Sequence, residues 1–524
     1  MTRVHVPDGV EVPAGLMEAF IGYEVALAEN DIDALGHYFV DGADALRGDA
    51  GGLLVGREQI DRFRGARGGA PAREVTDTHI RVLSDTHAYL TSVNAPAKGG
   101  RGMVTQLWRR TESDATPGGW VIEAAHVSAP APAIDTRVWR VVGNPLAPGA
   151  PTGPLAGHTV AVKDVFAVVG QHLGAGVPAF LAESEVEEES ADAVAALTRA
   201  GASVVGIAQT DQFAYSIAGM NEAYGTPPNP AVPGGIPGGS SSGPASAVAQ
   251  GQASIGLGTD TAGSIRVPAS YQGLWGLRPT HGLVSLNGAL PLAPQYDTAG
   301  WLTRDGETLL AAARASLPSE SQRDVARDVA VVSGPMFLAA DDDVALYLGT
   351  VIDAFSDAGV FTSLEPVNLP DPADLFRIFR YTQSAEASRH WQEWIAAHPL
   401  ALAPDVTARF AWAASVTADE EAAAIEAKEE ARAAIDLALG DDILLLPSAS
   451  STAPMRDASA ERLQAVREAT LGLTAVAGIT GRPALSVPVL DIDEGPVGLC
   501  LVGPRGSDLA LIETALEWLA APKG

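Results

Sequence analysis

Between Pro233 and Pro268 the chain reads PGGIPGGSSSGPASAVAQGQASIGLGTDTAGSIRVP, and two knots of small residues punctuate it. One is GGSSSG at 238–243, the other GTDTAGS at 258–264. Small side chains let a backbone turn tightly and bring its N–H groups against a ligand. Each knot also carries serine, and a hydroxyl beside backbone donors is what acyl transfer needs. Residues 244–256, between the knots, are Ala-rich and apolar, and are predicted to form a buried helix. One Gly-dense tract means little in a chain with 55 glycines. Two of them, each ending a regular element and carrying serine, are poorly explained as linker.

A nucleophilic serine needs a base. HExxH does not occur, and the ten histidines are scattered. The nearest in the chain is His281, in RPTHGLVS, which reads as a turn before a strand. Lys163 stands out instead: in HTVAVKDVF a short β-rich run delivers a lysine to its end, with Asp164 next to it. Two readings are open. The lysine forms an ion pair with Asp164 at a strand end, or burial lowers its pKa and leaves a neutral amine able to accept a proton.

Lys163, Ser240 and Ser264 fall in the pattern of the amidase signature family, which the chain resembles from about Trp139 to the C-terminus. The carriers are the strand–KD segment, PGGSSSG, GTDTAGSIRVPAS, WGLRPTHGLVS, ITGRPALSVPV and GPVGLCLVGPRGSD. Around GTDTAGS the chain is similar to indole-acetamide-type amidases and, more distantly, to allophanate hydrolases. The resemblance implies a Ser–Ser–Lys triad: Ser264 the nucleophile, Ser240 the proton relay after a cis peptide at Gly239, Lys163 the base and then the acid. It implies an oxyanion hole from the backbone N–H groups of Thr261, Ala262, Gly263 and Ser264. Ala262 stands where many relatives have glycine, and negative φ is expected there. Gly238, Gly239 and Ser241 are expected to bind substrate, and Ser242 is a further neighbour of the triad. The implied activity is hydrolysis of a small linear carboxamide, with no metal or organic cofactor. A biuret- or allophanate-type ureide hydrolase and the glutaminase subunit of an amidotransferase are the alternatives.

With 524 residues the chain is long enough for two or three domains, and at 47% hydrophobic and 19% charged it can bury a large core. From Leu155 onward strands alternate with helices, which predicts an α/β fold with a mixed, largely parallel sheet covered by helices on both faces. Thr417-x-x-Glu420 reads as a capping box opening a helix that stops at Gly440, and 443–446 as a buried strand. The aromatics Phe376, Phe379, Tyr381, Trp391 and Trp394 are candidates for lining the acyl pocket. The single cysteine, Cys500, excludes a disulfide framework and sits in an apolar run. No apolar h-region opens the chain and no 18 apolar residues run unbroken, so a cytoplasmic protein without a membrane span is expected. A formal net charge of −30 argues against nucleic-acid partners.

Residues 13–128 read as a separate unit. Leu16, Phe20, Tyr23 and Leu27 recur at helical spacing up to Asn30, and GREQIDRFR is a further helix. After Pro71 the pattern alternates as half-buried antiparallel strands do. Helices followed by a meander is the order of a cone-shaped α+β fold. On YEVALAENDIDAL, GREQIDRFR and WVIEAAHVS the unit is similar to the NTF2-like group, and within it to the small companion proteins of biuret-pathway amidases. His79, His87 and His126 read as structural residues. The expected organisation is an NTF2-like domain over 1–130, a Pro/Ala/Gly-rich linker over 131–154 and the catalytic domain over 155–524. A homo-oligomer, a dimer formed through the first domain, is the expected assembly.

Overall fold

The computed structural model describes residues 3–7, 9–49, 52–66, 73–96, 102–128 and 134–520. The chain divides into two units, Met1–Ile134 and Asp135–Gly524. The expected boundary near 130 lies outside the described residues.

In the first unit the helix Leu16–Glu29 buries Leu16, Phe20 and Tyr23 and ends on Asn30, which takes the left-handed conformation (φ 55°). Asparagine visits that region more readily than most residues, which suits it to stop a helix. The strands Arg73–Ser84, His87–Pro96, Gly102–Arg110 and Trp120–Ser128 form the expected antiparallel meander. Three short strands were not foreseen: Arg3–His5, Leu46–Asp49 and Gly52–Val55 extend the meander to seven strands. Three or four residues are too few to display an alternation. His79 stacks on His5 with ring centroids 4.4 Å apart. His87 bonds Thr86 Oγ1 at 3.0 Å.

The second unit is built on one eleven-stranded sheet. From one edge its order is Ser363–Pro366, Val329–Val332, Ile443–Pro447, Gly495–Val502, Ala484–Ile492, Trp275–Arg278, Ala299–Thr303, Ile255–Thr259, Thr159–Lys163, Ser203–Ala208 and Trp139–Ala147. The sheet is mixed, as expected, but not largely parallel: six of its ten pairings are antiparallel. Hairpin-like returns such as Ala484–Ile492 to Gly495–Val502 run without an intervening helix, and these reverse the direction.

Side-chain alternation shows that both faces are covered. Ile443 and Leu445 belong to one hydrophobic cluster and Leu444 and Leu446 to another. Leu499 and Leu501 likewise join the first, Cys500 and Val502 the second. A strand buried on both faces needs an unbroken apolar run, which ILLL and LCLV supply. The capping box is present: Glu420 N–H donates to Thr417 Oγ1 (3.3 Å) and Thr417 N–H to Glu420 Oε2 (2.9 Å). It opens the helix Ala418–Leu439, with Gly440 as its C-cap.

Two expectations are corrected. The stretch 131–154 is not wholly linker, because Trp139–Ala147 is an edge strand antiparallel to Ser203–Ala208. Trp139 anchors it, buried and donating its Nε1–H to Gln252 Oε1 at 2.5 Å. The helix between the serine knots spans Ser242–Ala249 rather than 244–256. Gly251, at φ 74°, turns the chain away from it, and residues 255–259 become a strand.

Candidate active site

Three neighbouring strands, Ser203–Ala208, Thr159–Lys163 and Ile255–Thr259, run parallel and end at the same edge. The crevice beyond the carboxyl ends of parallel strands is where a sheet presents its loops to ligands. Here the loops carry Asp211 after the first strand, Asp164 after the second and 260–264 after the third. Lys163 lies opposite Ala208 in the register, and its neighbour Val162 opposite Leu257. Its side chain therefore emerges between the two flanking strand ends.

Lys163 is completely buried. Its Nζ contacts Ser240 Oγ at 2.8 Å and Thr259 Oγ1 at 2.7 Å. Burial pushes the amine down to about 7, against the pull of the carboxylates of Asp211, Asp260 and Asp297. Close to neutrality such an amine is unprotonated about half the time, as a general base should be. Asp164 is not its partner: that carboxylate accepts from Arg140 Nε at 2.8 Å and Gly174 N–H at 3.1 Å. Of the two readings of Lys163, the geometry supports the desolvated amine.

The peptide between Gly239 and Ser240 is cis. Thr210 Oγ1 holds the Ser240 carbonyl at 2.8 Å, and Gly239 N–H donates to Ile217 O at 2.8 Å. Ser241 N–H donates to the Ser264 carbonyl at 3.2 Å, which ties the two knots together. The hydroxyl of Ser264 makes no hydrogen bond among the described residues, and Ser264 lines a small inner cavity with Ile217, Thr261, Ala262 and Arg467. Lys163 and Ser240 are thus in direct contact, and Ser264 is tied to the first knot through its carbonyl.

Asp260 holds the second knot in shape. Its Oδ1 accepts from Gly263 N–H (2.9 Å) and Arg266 Nη2 (2.9 Å), its Oδ2 from Ile265 N–H (3.2 Å) and Arg266 Nε (3.0 Å). Arg278 Nη1 adds a third side at 3.2 Å. Burial alone would raise this carboxyl; the two guanidinium groups outweigh it and hold Asp260 well below the usual carboxylate range. The loop is fixed further by Thr474 Oγ1 donating to Ala262 O (2.8 Å) and Thr261 Oγ1 to Asp297 (2.5 Å). Gly263 sits at φ 112°, and a Cβ there would lie 2.9 Å from Thr474 Cγ2. Ala262 is outside the positive-φ region, as expected.

Two expectations about this loop change. The N–H of Gly263 is committed to Asp260, so of the four expected oxyanion donors only those of Thr261, Ala262 and Ser264 lack an acceptor among the described residues. Gly238, Gly239 and Ser241 do not line the inner cavity. A Cβ on Gly238 would meet Pro268 Cα at 2.7 Å, one on Gly239 would meet Asp211 Oδ2 at 2.3 Å, and Ser241 Oγ donates to Thr259 O. Their small size lets the backbone pack closely against these neighbours. Ser242 starts the following helix. His281 bonds Pro294 O at 2.8 Å. Of the aromatic candidates, Phe376 and Phe379 line a cavity, whereas Trp391 stacks on Phe213 at 4.1 Å and Tyr381 packs against Trp412.

Sequence reasoning missed Thr259, Asp211 and the Asp260–Arg266–Arg278 cluster. Asp211 is fully buried, raised by burial to about 6, with Oδ2 accepting from Gly219 N–H at 3.0 Å. A carboxyl inside GTDTAGS and a nearby IRVP arginine were visible signals for the cluster.

Comparison with known proteins shows the family. The family model described as Amidase matches residues 142–512, and that described as AtzH-like matches residues 5–132. Amidase 1 of Oryza sativa subsp. japonica is 33% identical over 394 residues, covering 70% of this chain and 90% of the rice protein. The 2-amino-5-chloromuconic acid deaminase of Comamonas testosteroni is 33% identical over 410 residues, covering 75% and 86%. A crystal structure of an amidase superposes with a TM-score of 0.65 at 28% identity, covering 74% of this chain and 93% of the other. The chain belongs to the amidase family, hydrolases of amide C–N bonds, with an AtzH-like unit preceding the amidase region.

Proposed function

We propose that the protein hydrolyses a small linear carboxamide through an acyl-enzyme on Ser264. The observation that carries this reading is the fully buried Lys163 amine, near neutrality and 2.8 Å from Ser240 Oγ. Ser264 Oγ attacks the amide carbon while its proton passes to Ser240, whose own proton moves to Lys163. The oxyanion that forms is received by the free N–H groups of Thr261, Ala262 and Ser264. Each such donor is worth about 3 kcal/mol in the transition state, provided the loop is rigid. Lys163, now an ammonium, returns its proton through Ser240 to the departing nitrogen, and the C–N bond breaks. Water then attacks the ester along the same proton path, the C–O bond to Ser264 breaks, and the carboxylate leaves.

Mass spectrometry should detect a covalent acyl adduct on the wild-type protein and none on Ser264→Ala, with the fold of the variant intact by circular dichroism. Turnover retained by this variant would remove Ser264 from the mechanism. For the AtzH-like unit the same reading holds that it joins two copies of the chain into a dimer.

A further inference from the structure

Three guanidinium groups gather in the space outside Ser264. The inner cavity shares Tyr215, Gln383, Arg467 and Leu471 with a larger cavity of about 340 Å³. The larger one is also lined by Arg380, Arg409 and Asp405. Arg380 comes from the helix Pro372–Ala397, Arg409 from Pro404–Ser415 and Arg467 from Ala460–Thr480. Three separate helices thus aim their cations at one space.

Their partners are too few. Arg409 is committed, with Nη2 on Asp405 at 2.6 Å and Nη1 on Tyr215 O at 2.9 Å. Arg380 lies over the Trp412 ring at 3.8 Å. Among the described residues neither Arg380 nor Arg467 has an ion pair or a hydrogen bond, and Asp405 is the one carboxylate lining the larger cavity. Burial and the adjacent Arg409 lower the Arg467 guanidinium to about 10. A partly desolvated cation with cationic neighbours, no ion pair and only the unpaired influence of Glu468 is costly, and an arriving anion would relieve that cost. The arrangement runs against the composition of a chain with net charge −30. A local field of opposite sign to the whole marks a place built for a particular charge.

We propose that the substrate is an amide that carries a carboxylate, held by Arg467 and Arg380 while the carboxamide reaches Ser264. Arg467 lines both cavities, so it lies on the path between the outer space and the nucleophile. Phe376, Phe379 and Leu471 offer an apolar wall for the carbon chain between the two polar ends. This inference rests on the amidase reading and adds the substrate class to it.

The test uses the full-length protein and two substrate series: monoamides of straight-chain dicarboxylic acids of four to eight carbons, and neutral amides of the same lengths. The carboxylate series should be preferred in kcat/KM by about tenfold or more, the scale of one charge-assisted contact. Arg467→Gln should collapse that preference about tenfold and Arg467→Lys should keep part of it. Calorimetry with adipate provides a readout free of turnover, and binding should weaken about tenfold in Arg467→Gln. Ser264-dependent hydrolysis with no carboxylate preference, or a preference untouched in Arg467→Gln, overturns the proposal and leaves the amidase reading standing. Adipate binding lost in Arg467→Gln, with no amide of either series hydrolysed, upholds the anion site and overturns the amidase reading.

Discussion

Lys163 is where opposing electrostatic terms meet. Removal from water favours the neutral amine, while three carboxylates within the site favour the charged one, and the balance lies near pH 7. Lys163→Ala should lower kcat by about 10³–10⁶-fold, and combining it with Ser264→Ala should cost little more, because residues acting as one unit are not additive. Single-turnover kinetics on the single and double variants check this. Lys163, Ser240 and Ser264 stood out because each sits inside a short local motif, and the structure brings the first two to 2.8 Å. Thr259 and Asp211 did not, since only the parallel register of three strands brings their ends together. Gly238, Gly239 and Ser241, expected at the substrate, pack against Pro268, Asp211 and Thr259. Small residues next to a nucleophile look alike in sequence whether they admit a ligand or a neighbouring backbone.

The loop 260–266 has the shape it has because one carboxylate takes bonds from two arginines and from the backbone N–H groups of Gly263, Ile265 and Arg266. Asp260→Asn would leave Arg266 and Arg278 buried without their counter-charge, and should destabilise the amidase unit by about 3–5 kcal/mol in urea unfolding. A loss under about 1 kcal/mol would mean that the cluster is not what holds the loop. Part of this loop was written locally: GTDTAGSIR places the carboxyl six residues before Arg266. Thr474, which pins Ala262, is 212 residues away, and no local pattern announces it. Elements with a long unbroken period were read well, the strand Ile443–Pro447 and the capped helix Ala418–Leu439 among them. The helix between the knots was overextended because alanine recurs through ASAVAQGQASIG, and Gly251 marks where helix gives way to the approach to the strand.

At the scale of the molecule the chain joins an acidic amidase to an AtzH-like unit, and the two have separate cores. If the first unit joins two copies, size-exclusion chromatography with light scattering should return twice the mass of the chain, and a single-chain mass would contradict that assembly. The share of antiparallel pairings in the large sheet was the least legible feature, because strand periodicity carries no sign of the direction in which a strand is paired. What the enzyme as a whole does with pH bears on the central claim, that a neutral buried lysine drives acylation. The base must be unprotonated, so activity is present above its pKa and is lost as pH falls through it. The most direct measurement is the pH dependence of the rate at which a fluorophosphonate labels Ser264 in the full-length protein. The account predicts a rate flat above about pH 7 and falling about tenfold per unit below it, with that limb absent in Lys163→Ala. A rate that keeps climbing to pH 10, or one whose acid limb near 7 survives in Lys163→Ala, would contradict it.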